Sequence, residues 1–310
     1  MTPDESSLLF KRLKELEESA QELEPLLDQA LDKHEGWKDN ESTHCLKRGD
    51  ILALMAALGS GRPLLITGEP GCGKTTMARA YASLLEYELI GAMIKPGQTH
   101  ESLLWSVDHV NRFAEAQGPF KDSEERKQAL SVDNFLHHGA VWQAFENVSG
   151  KGSVLLLDEV DKAELTLVNG LLDVLDQGSF SGPRDQTITK DSQHPLLVVL
   201  TSNGDRRMPP AIIRRCALHE MKAPVDESEF IHYCARIGAA KFPDLEKTRV
   251  LTRAARIIGS ERKADAPVNP GISEYVDLLR VWKDIKDEHG ESMANQHLQD
   301  LSLFFIKRPR

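Results

Sequence analysis

The chain has 310 residues, a formal charge of −10 and a pI near 5.6, with 40% hydrophobic and 28% charged residues. That length and apolar content suit two domains with real cores, while the acidic balance argues against direct nucleic-acid binding, which needs clustered Lys and Arg. No apolar run approaches the roughly 20 residues of a membrane span, and an N-terminus carrying Asp4 and Glu5 lacks the apolar stretch of a secretory signal, so the expected location is cytoplasmic, with no membrane partner.

Residues 1–31 place Leu9, Leu13, Leu16, Ala20, Leu23, Leu27 and Ala30 at alternating steps of four and three, on one helical stripe. The stripe suits a partner-binding coiled coil or an amphipathic helix docked on its own chain. Its short length favours the second, and Pro25 should kink or split it. Residues 32–50 are polar, with Gly36 and Gly49, and read as a linker. From Ile51 to about Lys222, helical patterns alternate with short apolar runs at Pro63–Thr67, Ser153–Leu157 and Leu196–Thr201. Such runs predict strands buried on both faces in a parallel sheet covered by helices. After Pro224 only helical patterns remain, with breaks at Pro243, Pro267 and Pro270. Cys45, Cys72, Cys216 and Cys234 form no CxxC pair and read as free thiols of a reducing compartment. No Cys/His group has zinc-ligand spacing; His137 and His138 read as ordinary loop or helix-end histidines.

The strongest motif is Gly68-Glu69-Pro70-Gly71-Cys72-Gly73-Lys74-Thr75, followed by Thr76, which matches GxxxxGK[ST]. Glycines let successive backbone N–H groups turn inward around phosphates without Cβ clashes. A helix from Thr75 to about Leu85 adds its N-terminal N–H groups and positive dipole end. Lys74 supplies a cation for β- and γ-phosphates, and the Thr75 hydroxyl can ligate Mg²⁺. The apolar run Val154–Leu157 ends in Asp158-Glu159. Two carboxylates at a buried strand tip are costly unless a cation or substrate engages them. Asp158 is therefore assigned to Mg²⁺, and Glu159 to polarising an attacking water. The third run ends in Thr201-Ser202-Asn203, where an amide can orient that water or simply close a turn. Arg214 and Arg215 end a short helix at Pro210, where they either complement its dipole or offer a guanidinium to charge developing on a transferring phosphoryl group.

In this order these motifs resemble the AAA+ family. The finer resemblance is to MoxR-type ATPases, carried by Gly61–Gly71, Asp158-Glu159-Val160-Asp161-Lys162-Ala163, Leu171–Asp176, Thr201-Ser202-Asn203, Arg206–Pro209 and Arg214-Arg215-Cys216. The insert segment from Ile94 to Gln117 looks like this group too. The resemblance covers about residues 50–224, more weakly Pro270–Leu279. It implies an α/β fold: a P-loop AAA+ core at 49–224 with an insert near 91–140, a helical lid at 225–310 and an N-terminal extension and linker at 1–48. It implies ATP and Mg²⁺ as cofactors and a homo-oligomeric ring, usually a hexamer, with ATP between subunits. Asn203 becomes the sensor-1 residue, and Arg214 or Arg215, preferably Arg215, the finger acting on a neighbour's nucleotide. The implied role is a chaperone-like ATPase that remodels a client protein, in this branch often one with a von Willebrand factor A domain. Two other readings stay open: a nucleotide-gated assembly module with little turnover, and the motor subunit of a restriction-like DNA system. The stretch Pro270–Tyr275, where many AAA+ lids begin with a sensor-2 arginine, has none, leaving Arg262 and Arg280 as substitutes. Trp105, Phe113, Phe120 and Phe135 of the insert either face a pore or partner or pack beneath it.

Overall fold

The computed structural model describes residues 46–146, 150–246, 248–262 and 269–306. The predicted N-terminal stripe lies outside the described residues, as do Cys45 and Pro267. In chain order the first elements are α1 (Arg48–Ser60), β1 (Leu64–Gly68), α2 (Lys74–Leu85) and β2 (Glu88–Met93). The insert follows with α3 (Glu101–Leu104), β3 (Trp105–Val107), α4 (His109–Ala116), α5 (Ser123–Ala129) and β4 (Leu136–His138). Then come α6 (Ala140–Glu146), β5 (Ser153–Asp158), α7 (Leu165–Gln177), β6 (Ser179–Ser181), β7 (Thr187–Thr189), β8 (Leu196–Ser202), α8 (Pro210–Arg215) and β9 (Ala217–Met221). The chain closes with α9 (Glu227–Lys241), α10 (Val250–Ser260), α11 (Ile272–His289) and α12 (Glu291–Phe305).

The expected parallel sheet is present, with five strands in the order β2-β5-β8-β1-β9. β2 pairs in parallel with β5 from Glu88↔Ser153 to Met93↔Asp158, and β5 with β8 from Ser153↔Leu196 to Leu157↔Leu200. The three apolar runs became β1, β5 and β8. Their residues are nearly all buried because strands inside a covered sheet have no solvent face. β2 and β9 escaped the sequence pattern because they lie at the sheet edges. Their residues are mostly partly or fully exposed, so no continuous apolar run is required of them.

The described residues divide into two compact units that interleave along the chain: 54–65 with 84–218, and 46–53 with 66–83 and 219–306. The first unit has its own core. Leu155, Leu157, Val198 and Leu200 of the sheet pack with Val141, Trp142 and Phe145 of α6 and with Leu171 and Leu172 of α7. Within its insert, β3 and β4 pair antiparallel, Trp105 opposite His138. His137 and His138 thus lie on a strand and not in a loop or helix end, and the His138 ring stacks on Trp142 at 4.0 Å. Phe113 is 68% exposed, while Trp105, Phe120 and Phe135 are half-buried and the Trp105 Nε1 donates to the Ser181 carbonyl at 3.1 Å. The second unit gathers Phe230, Cys234, Ala254, Ala255 and Ile258 around Tyr275, Leu279 and Trp282. Among its described residues after Pro224 there are helices and one 3-10 turn at Pro243 but no strand. Burial pushes the Cys234 thiol there up to about 12, and Cys216 of the first unit up to about 11, so both stay protonated.

Candidate nucleotide site

β1 ends at Gly68 and α2 begins at Lys74, so the phosphate loop is the five residues between. The helix is established at once: Met77 N donates to the Gly73 carbonyl at 2.8 Å. The free N–H groups of its first turn face the loop's side of the helix, as every helix start leaves them. Lys74 is buried, at 6% exposure. Its ammonium folds back to donate to the carbonyls of Gly68 at 2.8 Å and Glu69 at 2.9 Å, beside the Cys72 Sγ. A buried charge needs such partners, and they fix the cation within the loop. Burial raises the Cys72 thiol above its ordinary range despite Lys74 nearby, so it stays neutral. Thr75 and Thr76 lie half-buried in the first turn of α2, and Glu69, Pro70 and Gly71 are exposed.

Two glycines of the motif are required by close packing. At Gly68 a Cβ would press on the Met221 carbonyl at the end of β9. Gly71 has φ +74°, and a Cβ there would overlap the Ser273 hydroxyl in the first turn of α11. The Gly71→Ala variant is expected to lose about 1–2 kcal/mol of stability from the left-handed backbone alone, read as a lower denaturant midpoint with unchanged slope.

Beside the loop is a cavity of about 200 Å³ whose wall includes Lys47, Asp50, Cys72, His219, Tyr233 and Ile272. Lys47, Gly49 and Asp50, expected to be linker, line part of it, and Asp50 is held by several partners. Its carboxylate accepts from the Lys47 N at 2.7 Å and meets the His219 Nε2 at 2.8 Å. Its carbonyl accepts from the Tyr81 hydroxyl at 2.7 Å. The Lys47 ammonium sits 3.8 Å from the centre of the Tyr233 ring, a cation–π distance. Since Cys72 belongs to both loop and cavity wall, the cavity adjoins the phosphate loop. Sequence reading missed these residues, because positions 47, 219, 233 and 272 share no local pattern.

The acid pair occupies the end of β5. Thr201, fully buried in β8, donates its hydroxyl to Asp158 Oδ1 and accepts from the Glu159 N at 3.0 Å. One hydroxyl therefore sets both the carboxylate of Asp158 and the backbone of Glu159. Glu159 adopts a left-handed backbone, φ 62° and ψ 46°, uncommon for a residue with a side chain. Its Oε1 accepts from the Asn203 Nδ2 at 3.2 Å, and its Oε2 meets the Lys162 Nζ at 2.5 Å. That bond to Glu159 is the main reason the Lys162 ammonium holds its proton more tightly than usual. Asp158, Glu159 and Asn203 were singled out from the sequence; Thr201 and Lys162 were quoted there without a role.

Asp158 and the Thr75 hydroxyl are hard oxygen donors, the type Mg²⁺ takes. Among the described residues no group of three or more His, Cys, Asp or Glu side chains could hold a metal. A Mg²⁺ carried by phosphates needs only one or two protein oxygens, a demand that either donor meets by itself.

Arg215 is engaged within its own chain: Nη1 meets Asp173 Oδ1 at 2.9 Å and Nε meets Asp176 Oδ2 at 3.8 Å, both near the end of α7. Arg214 is exposed, and its carbonyl accepts from Arg62 at 3.4 Å. Arg262 donates to the Pro270 carbonyl at 2.7 Å and lies 4.4 Å from the Phe230 ring centre, while Arg280 bonds Asp277 at 2.8 Å. Among the described residues no helix is long and apolar enough to cross a membrane.

Residues 63–216 match the family described as the AAA domain, dynein-related subfamily. No curated protein matches the chain. Among solved structures it is similar to a chain of the E. coli MS115-1 HORMA:CdnC:Trip13 complex, with 14% identity over 99% of this chain and 89% of that one and a TM-score of 0.44. It is also similar to a presumptive ATPase from Cytophaga hutchinsonii ATCC 33406, with 13% identity over 92% of this chain and 76% of that one and a TM-score of 0.43.

Proposed function

We propose that this chain, whose residues 63–216 match the AAA domain, is an AAA+ ATPase that binds Mg·ATP and hydrolyses it at the subunit interfaces of a homo-oligomeric ring, using the cycle to remodel or activate a client protein. The observation that carries the reading is the polar frame at the ends of β5 and β8: Asp158 held by Thr201, and Glu159 held by Asn203. A carboxylate oriented for a metal beside one oriented for water is the division of labour that phosphoryl transfer to water requires.

In this reading the loop amides and Lys74 grip the phosphates, and the cavity beside Cys72 takes the base. Thr75 and Asp158 would hold a Mg²⁺, which when bound would neutralise charge on the phosphates. Glu159 draws a proton from the attacking water, and Asn203 keeps that carboxylate and the water in line. The intact acid pair favours turnover over a nucleotide-gated scaffold, and the net charge of −10 disfavours a motor that grips DNA directly. A MoxR-like branch, a hexamer, a cytoplasmic site and a client with a von Willebrand factor A domain belong to this proposal on the strength of the motif resemblance.

Arg215 is proposed as the finger that reaches a neighbour's nucleotide. Its bonds to Asp173 and Asp176 are half-exposed, the class of pair worth little to stability, so exchanging them for a phosphate is not costly. Arg215→Ala is expected to bind ATP normally and to lose turnover by roughly 10³-fold, the scale of a finger's contribution. In the parent chain, specific activity should rise with protein concentration as subunits associate. Full turnover by Arg215→Ala would refute the assignment, and specific activity independent of concentration across the association range would refute the interface site.

A further inference from the structure

The Glu159 carboxylate accepts on both oxygens: Asn203 Nδ2 on Oε1 at 3.2 Å and Lys162 Nζ on Oε2 at 2.5 Å. A general base must present a lone pair within reach of the proton it takes, and an ammonium on that oxygen competes with a water for it. Local geometry brings Lys162 there. Val160–Lys162 is a 3-10 turn, in which residues three apart eclipse, and Lys162 N donates to the Glu159 carbonyl at 3.0 Å. The turn is anchored. Val160 and Asp161 are buried, and Asp161 Oδ2 accepts from the Asp205 N at 3.1 Å, in the segment that also carries Asn203. Both partners of Glu159 therefore stand on one tied frame, but they differ in freedom. Asn203 is held at the end of a buried strand, whereas the Lys162 side chain is 39% exposed on a flexible stem. The carboxylates of Asp161 and Asp205 add smaller contributions to the raised pKa of that ammonium.

We propose that Lys162 is a positioning residue that latches Glu159 at rest and must swing away, leaving Oε2 to the attacking water, before each hydrolysis. This rests on the reading of Glu159 as the water-activating carboxylate. It assigns Lys162 a braking role that the phosphate loop, acid pair and arginines do not supply. Asn203 remains on Glu159 in both states and keeps the carboxylate aimed.

The test is steady-state ATP hydrolysis by the full chain at saturating Mg·ATP, comparing Lys162→Met, Lys162→Gln and Lys162→Arg with Glu159→Gln. Removing the ammonium should raise kcat roughly two- to five-fold, the range of a half-exposed ion pair, with KM unchanged. Lys162→Arg keeps a cation and should stay near the parent rate. A merely structural lysine would give the opposite sign, since loosening the site lowers kcat. Two neutral variants at or below the parent rate would overturn the latch. Glu159→Gln separates the two failures: if it keeps parental turnover, the reading of Glu159 falls and the latch with it. If it is inactive while both neutral Lys162 variants fail to accelerate, only the latch falls.

Discussion

Replacing Glu159 by Gln is expected to leave Mg·ATP affinity unchanged and to lower turnover by roughly 10²–10⁴-fold, the range for loss of a positioned general base. The amide is isosteric and can still accept from Asn203 on its oxygen, so the bond at 3.2 Å has a counterpart in the variant. What it lacks is charge: it neither draws a proton from water nor holds the Lys162 ammonium. Equilibrium titration with a fluorescent ATP analogue, paired with phosphate release, reads both quantities on one preparation. A parallel loss of affinity and rate would mean that Glu159 holds the nucleotide and does not act on water. The variant also offers a route to the client, since a ring that binds ATP without hydrolysing it should retain the partner that the working cycle releases.

Lys74→Ala is expected to remove nucleotide binding, weakening affinity by at least about 100-fold. Hydrogen bonds to charged groups contribute about 1.5–3 kcal/mol each, and about 1.4 kcal/mol is a factor of ten, so two phosphate contacts suffice. The lysine also closes the loop on itself through the Gly68 and Glu69 carbonyls. Its loss leaves those oxygens without their partner, so the thermal midpoint should be compared alongside the calorimetric titration. A variant that melts like the parent and fails to bind isolates the phosphate role. One that binds with parental affinity would remove Lys74 from the site.

The sequence made the central strands legible because burial on both faces fills β1, β5 and β8 with continuous apolar runs. It hid β2 and β9, where an edge position relaxes that demand. The phosphate loop and the acid pair were readable because their chemistry needs particular residue types at fixed short spacing. Thr201 and Lys162 were not, since a threonine in a strand and a lysine in a turn are ordinary until the fold sets them against Asp158 and Glu159. The cavity beside Cys72 was wholly hidden: Lys47, His219, Tyr233 and Ile272 are brought together only by tertiary packing. The left-handed backbone of Glu159 also has no sequence signature, as it follows a strand that any residue could have ended.

The proposed hydrolysis requires that the Lys74 loop and the Asp158–Glu159 pair engage the same nucleotide. The most direct measurement is a structure of the chain with Mg²⁺ and a non-hydrolysable ATP analogue. The account predicts one triphosphate with its β- and γ-phosphates on the loop amides and Lys74, its metal on the Thr75 hydroxyl and joined to Asp158 directly or through one water, and Glu159 facing the γ-phosphate. A triphosphate on the loop whose metal and γ-phosphate make no contact with Asp158 or Glu159 would contradict it.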